Sequence, residues 1–145
     1  MDRSMLLQLW DESWTKGTWF GSWSKALEGV DAAKASWKPA SGAHSIWQIV
    51  NHVSIWREYT VSALEGNKLD SAEVERRNFE EPEEATETAW DHARARLEES
   101  HRTLRSAMAD ESKPIERPLY HLVHDANHLG QILYVRQLQG LAKVM

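Results

Sequence analysis

Apolar residues recur along this chain at helical spacing, and no strand-like alternation of useful length interrupts them. A first helix is predicted up to Gly17, from the apolar positions Met5, Leu6, Leu9, Trp10 and Trp14. Residues 22–28 predict a second, short helical piece, and residues 37–42, which contain a proline and a glycine, predict a loop.

A longer helix is predicted to begin after Ser45, because Ser45 and Gln48 have the Ser-x-x-Gln form of a capping box. Gly66 is expected to end this helix. Its predicted apolar face consists of Ile46, Ile49, Val50, Val53, Val61 and Leu64. Residues 70–81 are charged and show no period, so they predict an exposed crossover, and the acidic residues from Glu73 to Glu87 are interpreted as solvated.

Two further long helices complete the pattern. Pro82 suits the first turn of the third helix, whose predicted buried positions are Trp90, Ala93, Leu97, Leu104 and Met108. Pro114 breaks the chain and Pro118 starts the last helix, with predicted core positions Leu119, Leu122, Val123, Ala126, Leu129 and Leu133. The chain is therefore predicted to be all-α, a four-helix bundle with short extra helices and a longer crossover loop.

Composition limits the class of protein. The 145 residues fit a single helical domain, 1–145, and 41% hydrophobic with 27% charged residues is typical of a globular protein. The absence of cysteine excludes thiolate metal sites and cysteine nucleophiles and suits a cytoplasmic location. No signal peptide and no membrane span are expected, and the net charge of −5 argues against a nucleic-acid partner.

The histidines carry the candidate chemistry. His124 and His128 are predicted to lie one helical turn apart, so their imidazoles can share one divalent ion. Chance supplies this spacing in about one comparable chain in three. Whether the pair belongs to a metal site therefore depends on a third ligand elsewhere in the chain. His52 has a similar position at the border of the apolar face of the second long helix. Three histidine ligands would leave coordination positions open, which is the pattern of catalytic sites.

Residues 45–53 (SIWQIVNHV) and 124–132 (HDANHLGQI) resemble segments of the DinB-like, or YfiT-like, proteins of bacteria, as do residues 18–22, 27–29 and 37–39. The resemblance covers most of the chain. It implies a four-helix bundle, often a homodimer, in which His52, His124 and His128 hold a divalent metal ion. The chain departs from the family at Asn127 and Leu129, where many members have a further histidine and an arginine.

Characterised relatives in this family include metal-dependent S-transferases that use low-molecular-weight thiols such as bacillithiol, and a mycothiol-dependent isomerase. The resemblance therefore implies a metal-dependent thiol S-transferase with a small-molecule substrate. A metal-dependent hydrolase and a non-catalytic homodimeric protein of interaction or stress response remain alternatives, because the ligand set does not separate them. Zinc or nickel is expected as the ion, with iron, cobalt or manganese as alternatives.

Other residues near the histidines are candidates for a pocket. They are Gln48, Trp56, Tyr59 and His121, and no catalytic residue is assigned among them. His121 is interpreted as a surface residue rather than a ligand. Asp125 is predicted to point about 100° away from the His124 and His128 stripe, and therefore to be solvated or to bond elsewhere rather than to act as a base.

Overall fold

The computed structural model describes residues 1–144, which form seven helices and no strand. The four long helices are α1 (Arg3–Thr15), α4 (Ile46–Leu64), α6 (Glu87–Ala109) and α7 (Glu116–Leu138). The three short ones are α2 (Trp23–Ala26), α3 (Ala32–Ser36) and α5 (Ser71–Arg77). The predicted all-α fold, a four-helix bundle with short additional helices, is confirmed.

The α4 helix lies at the centre of the bundle, where it packs along α6 and α7, while α1 packs on α6 and α7. One apolar cluster joins α4, α6 and α7 with the short helices α2 and α3, and within it the rings of Trp47 and Trp90 lie 5.2 Å apart. A second cluster joins α1 and α6 through Leu6, Trp10, Leu104 and Met108. Within residues 1–144 no helix has the length and apolar character needed to cross a membrane.

The helix α4 begins as the sequence predicts. The Ser45 hydroxyl accepts a hydrogen bond from the Gln48 backbone N–H at 3.1 Å, and the Gln48 side chain accepts one from the Ser45 N–H at 3.0 Å. Gly66 follows the helix with φ of +82°, a left-handed conformation that glycine adopts without steric cost. All five predicted buried positions of α6 are buried as well.

Two predictions about the chain between α4 and α6 are wrong. Pro82 does not start a helix, because α6 begins only after Thr86, whose side chain accepts a hydrogen bond from the Ala89 N–H. Residues 71–77 of the predicted crossover form α5, which Asp70 caps and which buries Val74. The apolar Val74 gives this charged segment enough packing to fold against α4.

The inward face of α7 is also rotated relative to the prediction. Val123, a predicted core residue, is 72% exposed. The buried positions are Pro118, His121, Asp125, His128, Leu129, Ile132, Val135 and Arg136. Polar residues can occupy this face because side chains of α4 satisfy their hydrogen bonds. The α7 helix thereby directs its histidines toward α4.

Candidate metal centre

Three histidine side chains converge where α4 meets α7. Nε2 of His52 lies 3.1 Å from Nε2 of His124 and 2.9 Å from Nε2 of His128. The ligand atoms of all three residues lie within 4.8 Å of one another. Two nitrogens that bind one ion at about 2.0–2.1 Å in tetrahedral or octahedral geometry are roughly 2.9–3.4 Å apart. The observed separations therefore suit a shared ion.

The second nitrogen of each ring is held by an oxygen atom. The Nδ1 distances are 2.5 Å from His52 to Asn78 Oδ1, 2.8 Å from His124 to Asp125 Oδ1, and 2.8 Å from His128 to Gln131 Oε1. Because a carboxylate or amide oxygen only accepts hydrogen bonds, each Nδ1 carries the proton and each Nε2 carries a lone pair. Three lone pairs that face one another at this distance repel, so the donor set fits a cation between them.

Burial favours the neutral form of two of these imidazoles, those of His52 and His128. It lowers the pKa of His52 to about 4, against the opposing effect of the hydrogen bond to Asn78. Burial likewise lowers the pKa of His128 below its ordinary value. A histidine must be unprotonated to bind a metal ion, so both lone pairs are available at neutral pH.

Asp125 bonds both outside this centre and at it: Oδ2 pairs with Arg57 of α4, as expected of a residue that bonds elsewhere, whereas Oδ1 lies at the centre and not away from it. Its short side chain reaches Nδ1 of the adjacent His124, although the two residues leave the helix in different directions. Burial alone would raise the pKa of this carboxyl, but the charge of Arg57 and hydrogen bonds from His121 and His124 lower it overall. Asp125 is therefore a buried carboxylate that fixes a candidate ligand.

Arg57 completes the charge balance of the buried carboxylate. Its Nε donates to Asp125 Oδ2 at 2.7 Å, and its Nη1 donates to Ser100 Oγ at 3.3 Å. The guanidinium lies between two indoles, 4.8 Å from the Trp10 ring centre and 5.3 Å from that of Trp23. Arg57 is fully buried, so one charge-assisted contact links the candidate metal centre to the interior of the bundle.

The segment after α5 covers one side of the centre. The ring of Phe79 stacks between the imidazoles of His44 and His52, with centroids 3.9 Å from each. Its φ of +52° is unusual for a residue other than glycine. Two hydrogen bonds from α4 hold the segment, one from Gln48 Nε2 to the Phe79 carbonyl and one from Asn51 Nδ2 to the Glu80 carbonyl.

A cavity of about 290 Å³ opens beside His124. Trp56, Tyr59 and His121 line it, and these are three of the four candidate pocket residues. Gln48 does not line it, because its side chain is used by the helix cap and by Phe79. The interpretation of His121 as a surface residue is wrong: it is 8% exposed, and its Nε2 lies 2.8 Å from the Thr60 hydroxyl.

The sequence patterns predicted no role for four residues of the centre: Arg57, Asn78, Phe79 and Gln131. Gln131 follows His128 by three positions on a helix, a spacing that predicts contact. Phe79 is an aromatic residue in an otherwise charged segment, which is a second usable signal. Asn78 and Arg57 carry no local signal, because their partners come from other elements of the fold.

The geometry defines a class, a helical bundle with a buried three-histidine centre at one side of its core. The family model of the DinB superfamily matches residues 18–135. The chain belongs to the DinB superfamily. Comparison with curated proteins and comparison with solved structures give no match. Family membership and the histidine cluster together fit a metal-binding protein.

Proposed function

We propose that this protein is a divalent-metal-dependent enzyme that transfers a low-molecular-weight thiol to a small electrophile. The observation that supports it most is the set of three Nε2 atoms, each fixed through Nδ1, next to a cavity. His52, His124 and His128 would hold the ion, and three ligands leave positions for a substrate. Zinc or nickel suits these imidazoles, with iron, cobalt or manganese as alternatives.

A divalent ion bound there would lower the pKa of a thiol that reaches it, so that a thiolate forms at neutral pH. The residues of the chain supply position and proton transfer. His121 lines the same cavity, and its Nε2 would accept the proton that the thiol loses by way of the Thr60 hydroxyl, which contacts this nitrogen. The thiol sulfur then forms a bond to an electrophilic carbon, whose leaving group departs with the bonding electrons.

The metal content of the purified protein tests the first part of this proposal. Untagged protein prepared without chelator and loaded with zinc or nickel should hold about one ion per chain, as measured by elemental analysis. His52→Ala and His128→Ala should retain only traces, whereas His92→Ala, which changes an exposed histidine of α6, should retain the ion. Trace metal in the wild type, or full metal in both ligand variants, contradicts the proposal.

Turnover tests the second part. Metal-loaded wild type is incubated with a panel of low-molecular-weight thiols and alkylating electrophiles beside the two ligand variants, and the thioether products are quantified. Product formation that depends on His52 and His128 supports the transferase. A parallel incubation with ester and amide substrates, without thiol, tests the hydrolase, which cleavage above the level of the variants would indicate instead. If neither reaction exceeds that of the variants, the enzymatic proposal is wrong and the non-catalytic interaction alternative is favoured.

A second proposal concerns pairing of two copies, and its support is the outward face of α7. Exposed residues there follow alternating spacings of four and three, as in a coiled-coil seam: Val123, Asn127, Gly130 and Tyr134. A side chain added at Gly130 would meet nothing within 4 Å, so a second helix can approach closely. This favours a homodimer that is either the enzyme or the non-catalytic alternative.

Sedimentation at micromolar concentration tests this pairing. The wild type should be a dimer, and the double variant Val123→Glu, Tyr134→Glu should be a monomer, because charged side chains would have to be buried in the seam. Leu69→Glu, at an exposed apolar residue of another segment, serves as the control and should remain dimeric. A monomeric wild type contradicts the proposal. The cytoplasmic location and the absence of nucleic-acid and membrane partners stay predictions.

A further inference from the structure

The cavity beside the candidate metal centre has largely apolar, aromatic walls with a few polar groups. It lies between α4 and α7, and its lining is mostly apolar. Three aromatic side chains contribute to it, Trp56 and Tyr59 from α4 and Tyr120 from α7. The Trp56 and Tyr59 rings meet edge to face at 5.6 Å, and the Trp56 N–H donates to Asn78 Oδ1. The walls therefore offer ring faces and edges, which favour a flat apolar group.

The size of the cavity limits what it can hold. Its volume of about 290 Å³ falls at the lower end of ligand pockets, which run from about 300 to 1,000 Å³. One six-membered ring with a small substituent fits this space, and a large cofactor does not. Because His124 lies in the same wall, a ligand in the cavity is adjacent to the candidate metal centre.

One arginine side chain borders this cavity. Arg117 lines it, with the guanidinium carbon 5.5 Å from the centre of the Tyr59 ring. Among residues 1–144, Arg117 forms no ion pair within 4 Å and donates no side-chain hydrogen bond. It belongs to the first turn of α7, where the helix dipole also favours negative charge and no side chain caps the helix. The guanidinium is free to bind an anion in two-pronged geometry.

We propose that this cavity binds a small aromatic carboxylate, with the ring between Trp56, Tyr59 and Tyr120 and the carboxylate on Arg117. The inference rests on the proposed function in one respect: an aromatic carboxylate that also bears a carbon with a leaving group would be the electrophile, so that the thiol sulfur bonds to that carbon while the leaving group departs with the bonding electrons. Binding itself depends on the cavity and on Arg117, and it does not require the ion. The two proposals can therefore fail separately.

Calorimetric titration of metal-free wild-type protein at low ionic strength tests the binding. The probes are 4-methylbenzoate and its neutral counterpart 4-methylbenzamide, which has nearly the same shape. We expect the carboxylate to bind at least about tenfold more tightly than the amide, because charge-assisted hydrogen bonds are the stronger kind. Arg117→Met should remove this preference and leave the affinity for the amide within about twofold.

Two control variants separate the contributions. Arg94→Met removes an exposed arginine of α6 that does not line the cavity, and it should leave both affinities unchanged. Tyr59→Ala, which opens the aromatic wall, should weaken both probes by at least about fivefold, since each aromatic contact contributes beyond its area. Circular dichroism of every variant verifies that the bundle is folded.

Three outcomes overturn the inference. Equal binding of the two probes shows that no anion is selected. Carboxylate binding that needs the metal and survives Arg117→Met shows that the carboxylate binds the ion itself. No binding of either probe shows that the cavity has another ligand. A protein that binds the carboxylate without metal, yet transfers no thiol when loaded, supports the cavity site while contradicting the proposed function.

Discussion

This bundle contains two sets of histidines whose surroundings differ: His101 by itself on α6, and the three histidines of the candidate metal centre. His101, on α6, and His52, in the candidate metal centre, are 8% and 7% exposed. Burial lowers the pKa of His101 to about 3, with a further contribution from the positive charge of Arg57, and that of His52 to about 4. Accessibility and pKa alone would thus assign both histidines the same role.

Their surroundings separate them. His101 stacks on Trp10 with centroids 4.6 Å apart, and it lies 4.9 Å from Trp14. Its Nδ1 has no hydrogen-bond partner among the described residues, and no second histidine faces it. Each ring of the candidate metal centre instead has an oxygen at Nδ1 and other imidazole nitrogens at Nε2. A binding site is identified here by convergence and orientation, while burial marks only the core.

Arg57 connects the two sets, and its removal should have the largest effect. Arg57→Met leaves the Asp125 carboxylate buried without its partner, so we expect the free energy of unfolding to fall by about 3–5 kcal/mol. Urea denaturation monitored by circular dichroism measures it. The matched control is Arg96→Met, which breaks the partly exposed pair with Glu58 and should cost about 1 kcal/mol or less. Equal losses of unfolding free energy in the two variants would show that the buried pair stabilises the fold no more than the partly exposed pair does.

Removing an oxygen that orients a histidine ring through Nδ1 should weaken metal binding at the candidate centre. Gln131→Leu removes the oxygen that holds His128 and should weaken metal binding about 10–100-fold, the usual effect of such outer partners. Competition against a chromogenic chelator measures the affinity. His101→Phe should leave it unchanged, because that ring contacts no candidate ligand. A weaker affinity in His101→Phe would show that the two sets are coupled through Arg57.

Near neutral pH, the smallest effect on stability is the pH dependence that comes from His101. Its pKa is lowered on folding, so the unfolded chain binds the proton first, and stability is lost as the pH falls from 6.5 toward about 3. The slope should approach about 1.4 kcal/mol per pH unit. The faces packed on this ring also carry Arg57, Asp125, Asp11 and Arg105, whose charges partly oppose one another.

Comparison with His101→Phe in metal-free protein isolates this contribution. The difference in unfolding free energy between wild type and variant should be constant above pH 7 and should shift in favour of the variant below pH 6. Thermal or urea unfolding across this range measures it. Parallel curves for the two proteins would mean that His101 is protonated equally in the folded and unfolded chains.

The sequence predicted most of the framework and the three converging histidines. The Ser45 cap, the Gly66 end and the buried positions of α6 could be predicted because each depends on residues within one or two turns. His52 could be placed beside His124 and His128 because border positions of packed helices face one another. Their role as ligands stays a proposal, and so do the roles of Trp56, Tyr59 and His121 in the cavity.

What only the tertiary structure decided is which groups surround those histidines. The inward rotation of α7 depends on partners from α4, such as Arg57 for Asp125 and Thr60 for His121, and apolar spacing does not encode them. Asn78 reaches His52 from a segment whose charge predicted exposure. Sequence patterns thus determined the helices and which histidines converge, while the hydrogen bonds at Nδ1, among them the one from the distant Asn78, decided which nitrogen of each ring points inward.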